Sequence, residues 1–491
     1  MTALSSLYRR SRLGAANAEA TGFISSIESD KRLFDAVVRI NQAHILMLNR
    51  RGIIPRDQAR KVIIALSEID AMPRSKAEDI HVAIEEAVAQ RAGKSAGGNL
   101  QLAKSRNDQV AAAIRIRLRS DALQIVDSLF FLLAELQKTI RKNSETIFLG
   151  RTHLQPAEPT TYGHYLMAFH DAVLRDLERL DALYTRLNLS PMGACALAGT
   201  SIHIDRVAVA DLLGFDGLLE NSLDAVGSRD FALEFLAIMA MLSSDISRLA
   251  EDLLFYTTPD VGQLRLPDDL SFTSSIMPQK KNPDIVELIR AKCAVAIAEF
   301  SETATILHAL PTSYNLDLQQ ITPCIWNSSK TMEEIVPIIR SLISRTKVEE
   351  LEASRHDMIM TNATEFANTL VTNLGIPFRL AHQIVASAAL EFSKTGSNDG
   401  SQWLRIVIEK AQKTTGHRSK RLEAALVQVS SSQAVVRHKR SVGSPSPRET
   451  LRLLRKRARS VAHLMRLQRN RKKRLVLAES RLRREVLQLC R

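Results

Sequence analysis

Residues 235–253 read FLAIMAMLSSDISRLAEDL, and their apolar side chains recur every three or four positions. The recurring positions are Phe235, Met239, Leu242, Ile246, Leu249 and Leu253. This spacing puts them on one face of an α-helix, because a helix turns once in about 3.6 residues. The stretch therefore predicts a long amphipathic helix whose apolar stripe packs against other helices.

Two further stretches have the same period. One runs from about Ala111 to Arg141 and includes Ile114, Leu118, Leu132 and Leu136, and the other includes Leu166, Phe169, Val173, Leu177, Leu180, Tyr184 and Leu187. A helix of about thirty residues is about 45 Å long. With only 19 Gly and 15 Pro in 491 residues and no βαβ alternation, the sequence predicts an all-α fold around a central bundle of long helices.

Polar breaks separate the helical stretches, and they carry the side chains suited to chemistry. They fall at Gly93–Gly98, Gly150–Pro159, Pro191–Gly199, Val261–Ser275 and Ser441–Pro447. Rigid helices hold loop residues in fixed positions, so we expect a functional site at some of these breaks.

The most specific segment is SSIMPQKKNPD, residues 274–284. A serine hydroxyl beside a lysine suits proton abstraction next to a carboxylate, with Ser274 as the base and Lys280 stabilising the developing charge. A solvated lysine loop capped by serine is the alternative for the lysines and the following Asn-Pro alone.

Two other segments are weaker by themselves. Residues 150–159, GRTHLQPAEP, present Thr152 and His153 side by side, although a lone histidine is more often structural. Residues 105–109, SRNDQ, precede a predicted helix, where Arg106 offers a bidentate fork for a carboxylate. Helix capping by Ser105 or Asp108 is the alternative, and it is compatible with binding.

Taken together, the three segments resemble the three signature regions of the fumarase/aspartase superfamily, and within it the chain most resembles argininosuccinate lyases. The resemblance extends from about Leu7 to Val385 and more weakly to about Pro447. Supporting matches are EDIH at 78–81, PMG at 191–193 with Ala198-Gly199, NSLDAV at 221–226, RDF at 229–231 and YN at 314–315 with DLQ at 317–319.

The resemblance implies a three-domain fold and a homotetramer whose long helices form a central twenty-helix core, with each active site built from three subunits. It implies that the substrate is argininosuccinate and that elimination is anti, through an aci-carboxylate intermediate. By motif position, Ser274 would remove the Cβ proton, and Lys280 and Asn282 would stabilise the intermediate. His153, oriented by Glu287, would hold or protonate the departing guanidinium.

The remaining roles follow from the same resemblance. Thr152, Arg106 and Asn107 would bind the succinyl carboxylates, and the arginine half would be recognised by Ser26, Asp30, Tyr314 and Gln319. No metal or organic cofactor is implied, because proton transfer with electrostatic stabilisation is sufficient.

Several residues depart from the family pattern. Gln101-Leu102-Ala103-Lys104 stands where the family usually has His-Thr-Gly-Arg, and Thr273 replaces a common glycine. Leu316, Gln320 and Thr322 differ at the segment beginning with Tyr314. The proposed base, lysine and histidine are all retained, so the sequence supports the lyase reaction more strongly than it supports argininosuccinate as the substrate. The run 101–104 is the first candidate for altered specificity.

The charge is concentrated in the C-terminal tail. Residues 451–491 contain fifteen Lys and Arg against Glu479 and Glu485, which leaves the first 450 residues near +1 of the formal +14. Leu451, Leu454, Val461 and Leu464 have helical spacing, residues 471–474 (RKKR) interrupt the stripe, and Leu475, Leu477, Leu482, Val486 and Leu489 continue it. A solvated helix packed on the protein surface is favoured; a phosphate-binding arm for nucleic acid and a membrane-surface helix are the alternatives.

We expect four parts: an N-terminal helical domain at 1–104, the bundle with the signature loops at 105–355, a C-terminal helical domain at 356–447 and the basic helical tail at 448–491.

Four scattered cysteines and no metal-ligand pattern indicate reduced thiols in a cytoplasmic protein. No apolar run is long enough to cross a bilayer. The basic segment Ser5–Asn17 indicates a short arm rather than a transit peptide.

The sequence thus predicts a carbon–nitrogen lyase of arginine biosynthesis. The alternatives are a fumarate-releasing lyase for another N-substituted aspartate, and a non-catalytic scaffold whose tail binds nucleic acid.

Overall fold

The computed structural model of the chain describes residues 17–73, 77–349, 359–416 and 419–491. The segment Ser5–Asn17 lies almost wholly outside the described residues, and the expected domain boundary at 355/356 lies outside them too. The four-part division of the chain therefore stays a prediction.

Helices dominate the described residues, as the sequence predicts. The N-terminal helices are α1 Ala18–Phe23, α2 Ile27–Asp30, α3 Phe34–Arg50, α4 Arg56–Ser67 and α5 Ile80–Gly97. α5 bends at Gly93, whose φ of 80° and ψ of 158° are not helical, so the expected break at Gly93–Gly98 is a kink within a helix.

Five long helices form the bundle, and three of them contain the apolar stripes read from the sequence. They are α6 Arg106–Lys142, α7 Tyr162–Leu187, α10 Asp230–Thr257, α11 Asp284–Leu307 and α12 Ile321–Arg345, with the short helices α8 Arg206–Leu213 and α9 Ser222–Gly227 between α7 and α10. α10 packs along α11, and α6 packs against both α7 and α12. Phe235, Met239 and Leu242 of α10 are fully buried, which confirms the predicted stripe.

The C-terminal part has its own apolar core. Its helices are α13 Ala363–Leu374, α14 Phe378–Thr395, α15 Gly400–Thr415, α16 Lys420–Val427 and α17 Ser432–His438. Phe366, Phe392 and Trp403 are buried together there. The indole Nε1 of Trp403 donates a hydrogen bond of 2.9 Å to Oδ1 of Asn362, so the polar edge of the ring is satisfied inside the core.

Strands are few and short, and each pairs with one other strand. The pairs are β1 Ile147–Thr152 with β2 Gln155–Thr161, β3 Leu189–Ser190 with β4 Gly217–Leu218, β5 Leu264–Arg265 with β8 Lys347–Val348, and β6 Phe272–Thr273 with β7 Lys281–Asn282. Short 3₁₀ helices lie at Lys31–Leu33, Asp268–Leu270, Leu316–Gln319 and Met360–Asn362. The hairpins β1–β2 and β6–β7 carry two of the three sequence motifs.

The tail is one unbroken helix, α18 Pro447–Cys490, which packs against α4, α7 and α8. Leu454, Val461 and Leu482 are buried against the body of the protein, which confirms packing on the surface. The backbone stays helical through residues 471–474, where the sequence showed an interruption of the stripe. Leu477 is 59% exposed, so its inclusion in the buried stripe is wrong.

All four cysteines are free thiols. Among the helices of the described residues, none combines the length and the apolar character needed to cross a lipid bilayer.

Candidate active site

The SRND segment begins α6 with a capping box. Ser105 Oγ accepts a hydrogen bond of 3.3 Å from the Asn107 backbone nitrogen, and Asp108 Oδ1 accepts one of 3.0 Å from the Ser105 backbone nitrogen. The cap leaves Arg106 and Asn107 in the first helical turn, where the helix dipole favours an anionic ligand. Capping and ligand binding therefore coexist at this segment.

A cavity of about 460 Å³ opens at this helix end. Six of the residues expected from the sequence line it: Ser26, Asp30, Arg106, Asn107, Tyr314 and Gln319. They come from α2 and the residue before it, the start of α6, and the 3₁₀ helix Leu316–Gln319 with its preceding loop. The fold thus brings together three segments that lie far apart in the sequence.

Four charged or titratable residues of this pocket were not selected as site residues from the sequence: Glu78, Asp79, His81 and Arg229. Arg106 Nη1 lies 2.8 Å from Glu78 Oε1 and 2.7 Å from Asp79 Oδ2. No other atom of the Arg106 guanidinium bonds to a described residue, so donors are left for a carboxylate ligand. Asp79 also caps α5 by accepting from the Val82 nitrogen at 2.8 Å. Three of the four residues lie in the matching segment at 78–81 and Arg229 begins the one at 229–231, so the signal for them was present in the sequence.

Asp30 provides a buried negative group. Its Oδ2 accepts hydrogen bonds from Ser26 Oγ at 2.7 Å and from the Ile80 backbone nitrogen at 3.3 Å. Burial raises the pKa of Asp30 to about 6, against the lowering effect of these two hydrogen bonds. At neutral pH the carboxylate is ionised, and it suits a cationic ligand group.

His81 is buried in the pocket wall, and neither ring nitrogen has a hydrogen-bond partner among the described residues. Burial lowers the pKa of His81 to about 4, so the imidazole is neutral at physiological pH. A neutral imidazole offers one donor and one acceptor to a bound molecule.

The hairpin β6–β7 carries Ser274 and Lys280 at the two ends of its loop. Thr273 pairs with Lys281 across the ribbon, which brings the ends of the 274–280 loop together. Ser274 Oγ accepts hydrogen bonds from the backbone nitrogens of Ile276 at 3.3 Å and Met277 at 3.1 Å. Two N–H donors aimed at one oxygen can stabilise a negative charge on it.

The two lysines of this loop have different environments. Lys281 Nζ donates to the Leu266 carbonyl at 2.6 Å and to Asp268 Oδ1 at 2.7 Å, so Lys281 fastens the hairpin to the preceding loop. Lys280 is exposed, and its ammonium has no hydrogen bond to a described residue. Asn282 ends the ribbon, and Glu287 lies exposed in the first turn of α11.

His153 lies at the tip of the hairpin β1–β2. Thr152 pairs with Gln155, so His153 and Leu154 form a two-residue turn, with φ of 53° and 61°. Such turns favour the left-handed region, which glycine or asparagine usually occupies. Two non-glycine residues there carry backbone strain of the kind that gathers at functional sites. Thr152 and His153 are both exposed.

Neither hairpin reaches the pocket of the same chain. Ser274, Lys280, Asn282, Glu287, Thr152 and His153 are absent from the described residues that line the cavity. Within one chain, the expected site residues of the two hairpins are therefore not part of the pocket.

The run Gln101–Lys104 lies behind the pocket and does not line it. Lys104 is buried and donates from Nζ to Asn41 Oδ1, and Gln101 Nε2 donates to Glu85 Oε2 at 3.2 Å. Leu316 and Thr322 are the departures that line the cavity. These two, and not the run that the sequence made the first candidate, are therefore placed to contact a ligand in the cavity.

Comparison with known proteins agrees with this architecture. Residues 25–298 match a family model described as lyase, and residues 360–436 match one described as argininosuccinate lyase C-terminal. The argininosuccinate lyase of Methanothrix thermoacetophila is 42% identical over 453 residues, covering 91% of this chain and 92% of the relative. That of Methanosarcina acetivorans is 38% identical over 452 residues, covering 91% of each. The crystal structure of an EDDS lyase in complex with formate superposes with a TM-score of 0.83 at 26% identity, covering 94% of this chain and 92% of the other.

Proposed function

The chain belongs to the argininosuccinate lyase family, and from that membership we propose that it splits argininosuccinate into arginine and fumarate, a reaction of arginine biosynthesis. The observation that supports this substrate is the mixed charge of the pocket. Asp30, Glu78 and Asp79 line it together with Arg106 and Arg229. A ligand that carries both a guanidinium and carboxylates matches such a lining.

In the proposed reaction, Ser274 Oγ takes a proton from the Cβ of the succinyl half. The electron pair is held on the adjacent carboxylate as the aci-carboxylate, which Lys280 and Asn282 stabilise by charge and hydrogen bonding. Collapse of this intermediate forms the C=C bond of fumarate and breaks the C–N bond, in an anti elimination. The hydrogen bonds from Ile276 and Met277 to Ser274 support its role as the base.

His153 holds or protonates the departing guanidinium, and Glu287 orients it. Thr152, Arg106 and Asn107 bind the succinyl carboxylates, while Ser26, Asp30, Tyr314 and Gln319 bind the arginine half. The proposed chemistry needs no metal or organic cofactor. Four free thiols suit a reducing compartment, and we infer a cytoplasmic location from them.

The absence of the hairpin residues from the pocket of their own chain supports a homotetramer in which each site combines residues of three subunits. Apolar side chains left exposed on the bundle helices provide a second argument, because such side chains mark surfaces that other chains cover. Leu288 is 57% exposed and Val295 is 51% exposed, both on α11.

The reaction is tested by measuring fumarate absorbance with purified protein and argininosuccinate, and by identifying the amine product by mass spectrometry. Fumarate and arginine in equal amounts support the proposal. No fumarate from argininosuccinate, together with fumarate and a different amine from another N-substituted aspartate, would favour the related lyase. No release from folded protein would favour the non-catalytic scaffold.

The shared site is tested by co-expressing two inactive variants, Ser274→Ala and Arg106→Ala. Mixed tetramers contain some sites with both residues intact, so activity should return in part. The matched control pairs Ser274→Ala with Lys280→Ala, two changes in the same hairpin, where every hairpin is defective and no activity should return. Equal inactivity of both mixtures would contradict a site shared between subunits.

A further inference from the structure

The tail helix α18 carries two sets of cations, and the two sets differ in what they contact. One set faces the body of the protein and forms ion pairs with aspartates there. These pairs are Arg457 with Asp171, Arg471 with Asp181, Lys472 with Asp127 and Arg474 with Asp216. Arg457 Nε, for example, lies 2.8 Å from Asp171 Oδ1. This inner set explains how a strongly basic helix is held on the protein.

The second set, called the outer set, does not help to hold the helix on the protein. Nine cations of α18 are exposed and form no ion pair with a described residue, and six of them make up this outer set: Arg448, Arg455, Arg459, Arg466, Lys473 and Arg484. The other three, Lys456, Arg469 and Arg483, lie about 60–100° around the helix from the mean direction of these six, at about 100° per residue. None of them forms an ion pair with any residue in the described parts of the chain. By contrast, the exposed Arg452 and Arg481 are each paired with a glutamate of the same helix, Glu449 and Glu485.

The outer set forms a straight row. Successive members are separated by 7, 4, 7, 7 and 11 residues, and at about 100° per residue all six fall within about 20° of one line along the helix. From Arg448 to Arg484 the row is about 54 Å long, at about 1.5 Å per residue. Six cations in line on a rigid helix form a surface that matches an extended polyanion.

Insertion of this helix into a membrane surface is disfavoured by its packing. A membrane-surface helix buries its apolar face in lipid, but the apolar stripe of α18 that contains Leu454, Val461 and Leu482 is already buried in the protein. The apolar side chains that stay exposed, Met465, Val476, Leu477 and Leu487, lie outside this stripe. Leu454 is 1% exposed and Leu482 is 2% exposed. Stacking on single strands is disfavoured as well, because residues 447–491 contain no Phe, Tyr or Trp.

We propose that this outer row binds the phosphate backbone of double-stranded nucleic acid without sequence preference, as a function separate from the lyase site. Duplex DNA carries phosphates on both strands at about 3.4 Å of axis per base pair, so the row spans about 16 base pairs. Arginine and lysine neutralise phosphates and release the counterions bound to them, so affinity falls steeply with salt.

The test is fluorescence anisotropy of the full-length protein with a labelled DNA duplex of about 25 base pairs and arbitrary sequence, over a series of salt concentrations. An RNA duplex of the same length is a second probe. The outer-row variant combines Arg455→Gln, Arg459→Gln, Arg466→Gln and Lys473→Gln. The matched control removes four exposed, unpaired cations of α14 and α15, in Arg379→Gln, Lys394→Gln, Arg405→Gln and Lys413→Gln.

We expect the wild-type protein to bind the duplex with a dissociation constant on the order of micromolar at low salt. The outer-row variant should bind at least tenfold more weakly, and its salt slope should be smaller by about one for each phosphate that it no longer neutralises. The control variant should bind within about twofold of wild type. Unchanged fumarate release by both variants shows that each is folded.

Three results would overturn the proposal. The first is no duplex binding by the wild type at low salt. The second is equal weakening by the outer-row and control variants, which would mean that total charge alone is responsible. The third is tighter binding to vesicles of phosphatidylcholine and phosphatidylserine, to polyglutamate or to a single strand than to the duplex.

Discussion

Oδ2 of Asp108 lies 2.9 Å from the backbone nitrogen of Cys195 and accepts its hydrogen bond. The same oxygen accepts a hydrogen bond of 3.0 Å from the Gly193 nitrogen, while Oδ1 caps α6 through Ser105. One buried carboxylate therefore joins the start of α6 to the Pro191–Gly199 loop. Asn107 strengthens the connection by donating to the Ala196 carbonyl at 3.0 Å.

Asp108→Asn should destabilise the protein. The amide has one acceptor oxygen in place of two, so at least one buried backbone N–H loses its partner, at a cost of about 1–3 kcal/mol. We expect a lower Tm by scanning calorimetry and weaker substrate binding, because Arg106 and Asn107 lose their fixed position. Asp211→Asn, an exposed carboxylate on α8, is the control, and an equal Tm for all three proteins would refute the role of Asp108.

Ser274→Ala should reduce kcat by about 10²–10⁴-fold, the range expected when a general base is lost. KM should change little, because the residues proposed to bind substrate are untouched. The assay is initial-rate fumarate release over a range of argininosuccinate concentrations. Ser275→Ala, the exposed neighbour, should retain most of the turnover. Near-normal activity of Ser274→Ala would rule out this serine as the base.

The KM for argininosuccinate should rise as the pH falls through about 6. Burial raises the pKa of Asp30 to about 6, so acidification neutralises this carboxylate and removes the partner of the guanidinium. Asp30→Asn should have a high KM throughout and no inflection near this pH. A wild-type KM that stays constant from about pH 5 to about pH 8 would contradict the assignment.

Ionisation of Asp30, which favours substrate binding, disfavours the folded state. Because the folded-state pKa of Asp30 lies above its usual value of 3.8, the folded chain holds this proton more tightly than the unfolded chain does. The contribution of Asp30 to the free energy of unfolding therefore falls as the pH rises from about 4 to about 6. We expect Asp30→Asn to remove this fall, which Tm measurements across that range would show.

Lys104→Met should change how stability varies with pH above neutrality. Burial lowers the pKa of Lys104 to about 7, although Asp108 and Glu85 oppose the shift. The folded chain therefore loses this proton before the unfolded chain does, and the free energy of unfolding gains from Lys104 as the pH rises from about 7 to about 10. The gain in Tm between about pH 7 and about pH 9 should be smaller in the variant. Lys94→Met, an exposed lysine of α5, should keep the wild-type gain.

The sequence by itself determined the bundle and the identity of the chemical groups. Apolar positions at three- and four-residue steps can bury their side chains only on a helix face, so α6, α7 and α10 were predictable from local spacing. The capping box at Ser105 and Asp108 was readable for the same reason, since its partners lie within three residues. The motif around Ser274 is specific because few structural roles need those side chains together.

Tertiary structure decided where those groups lie. Glu78, Asp79, His81 and Arg229 stand in segments that already matched the family, at 78–81 and 229–231, but only packing between distant segments brings them into one pocket. The left-handed turn at His153 is imposed by the pairing of β1 with β2 and not by its own residue types. On α18, charge alone did not distinguish the cations held by aspartates of the body from those left unpaired. That division depends on which helix face the folded protein covers.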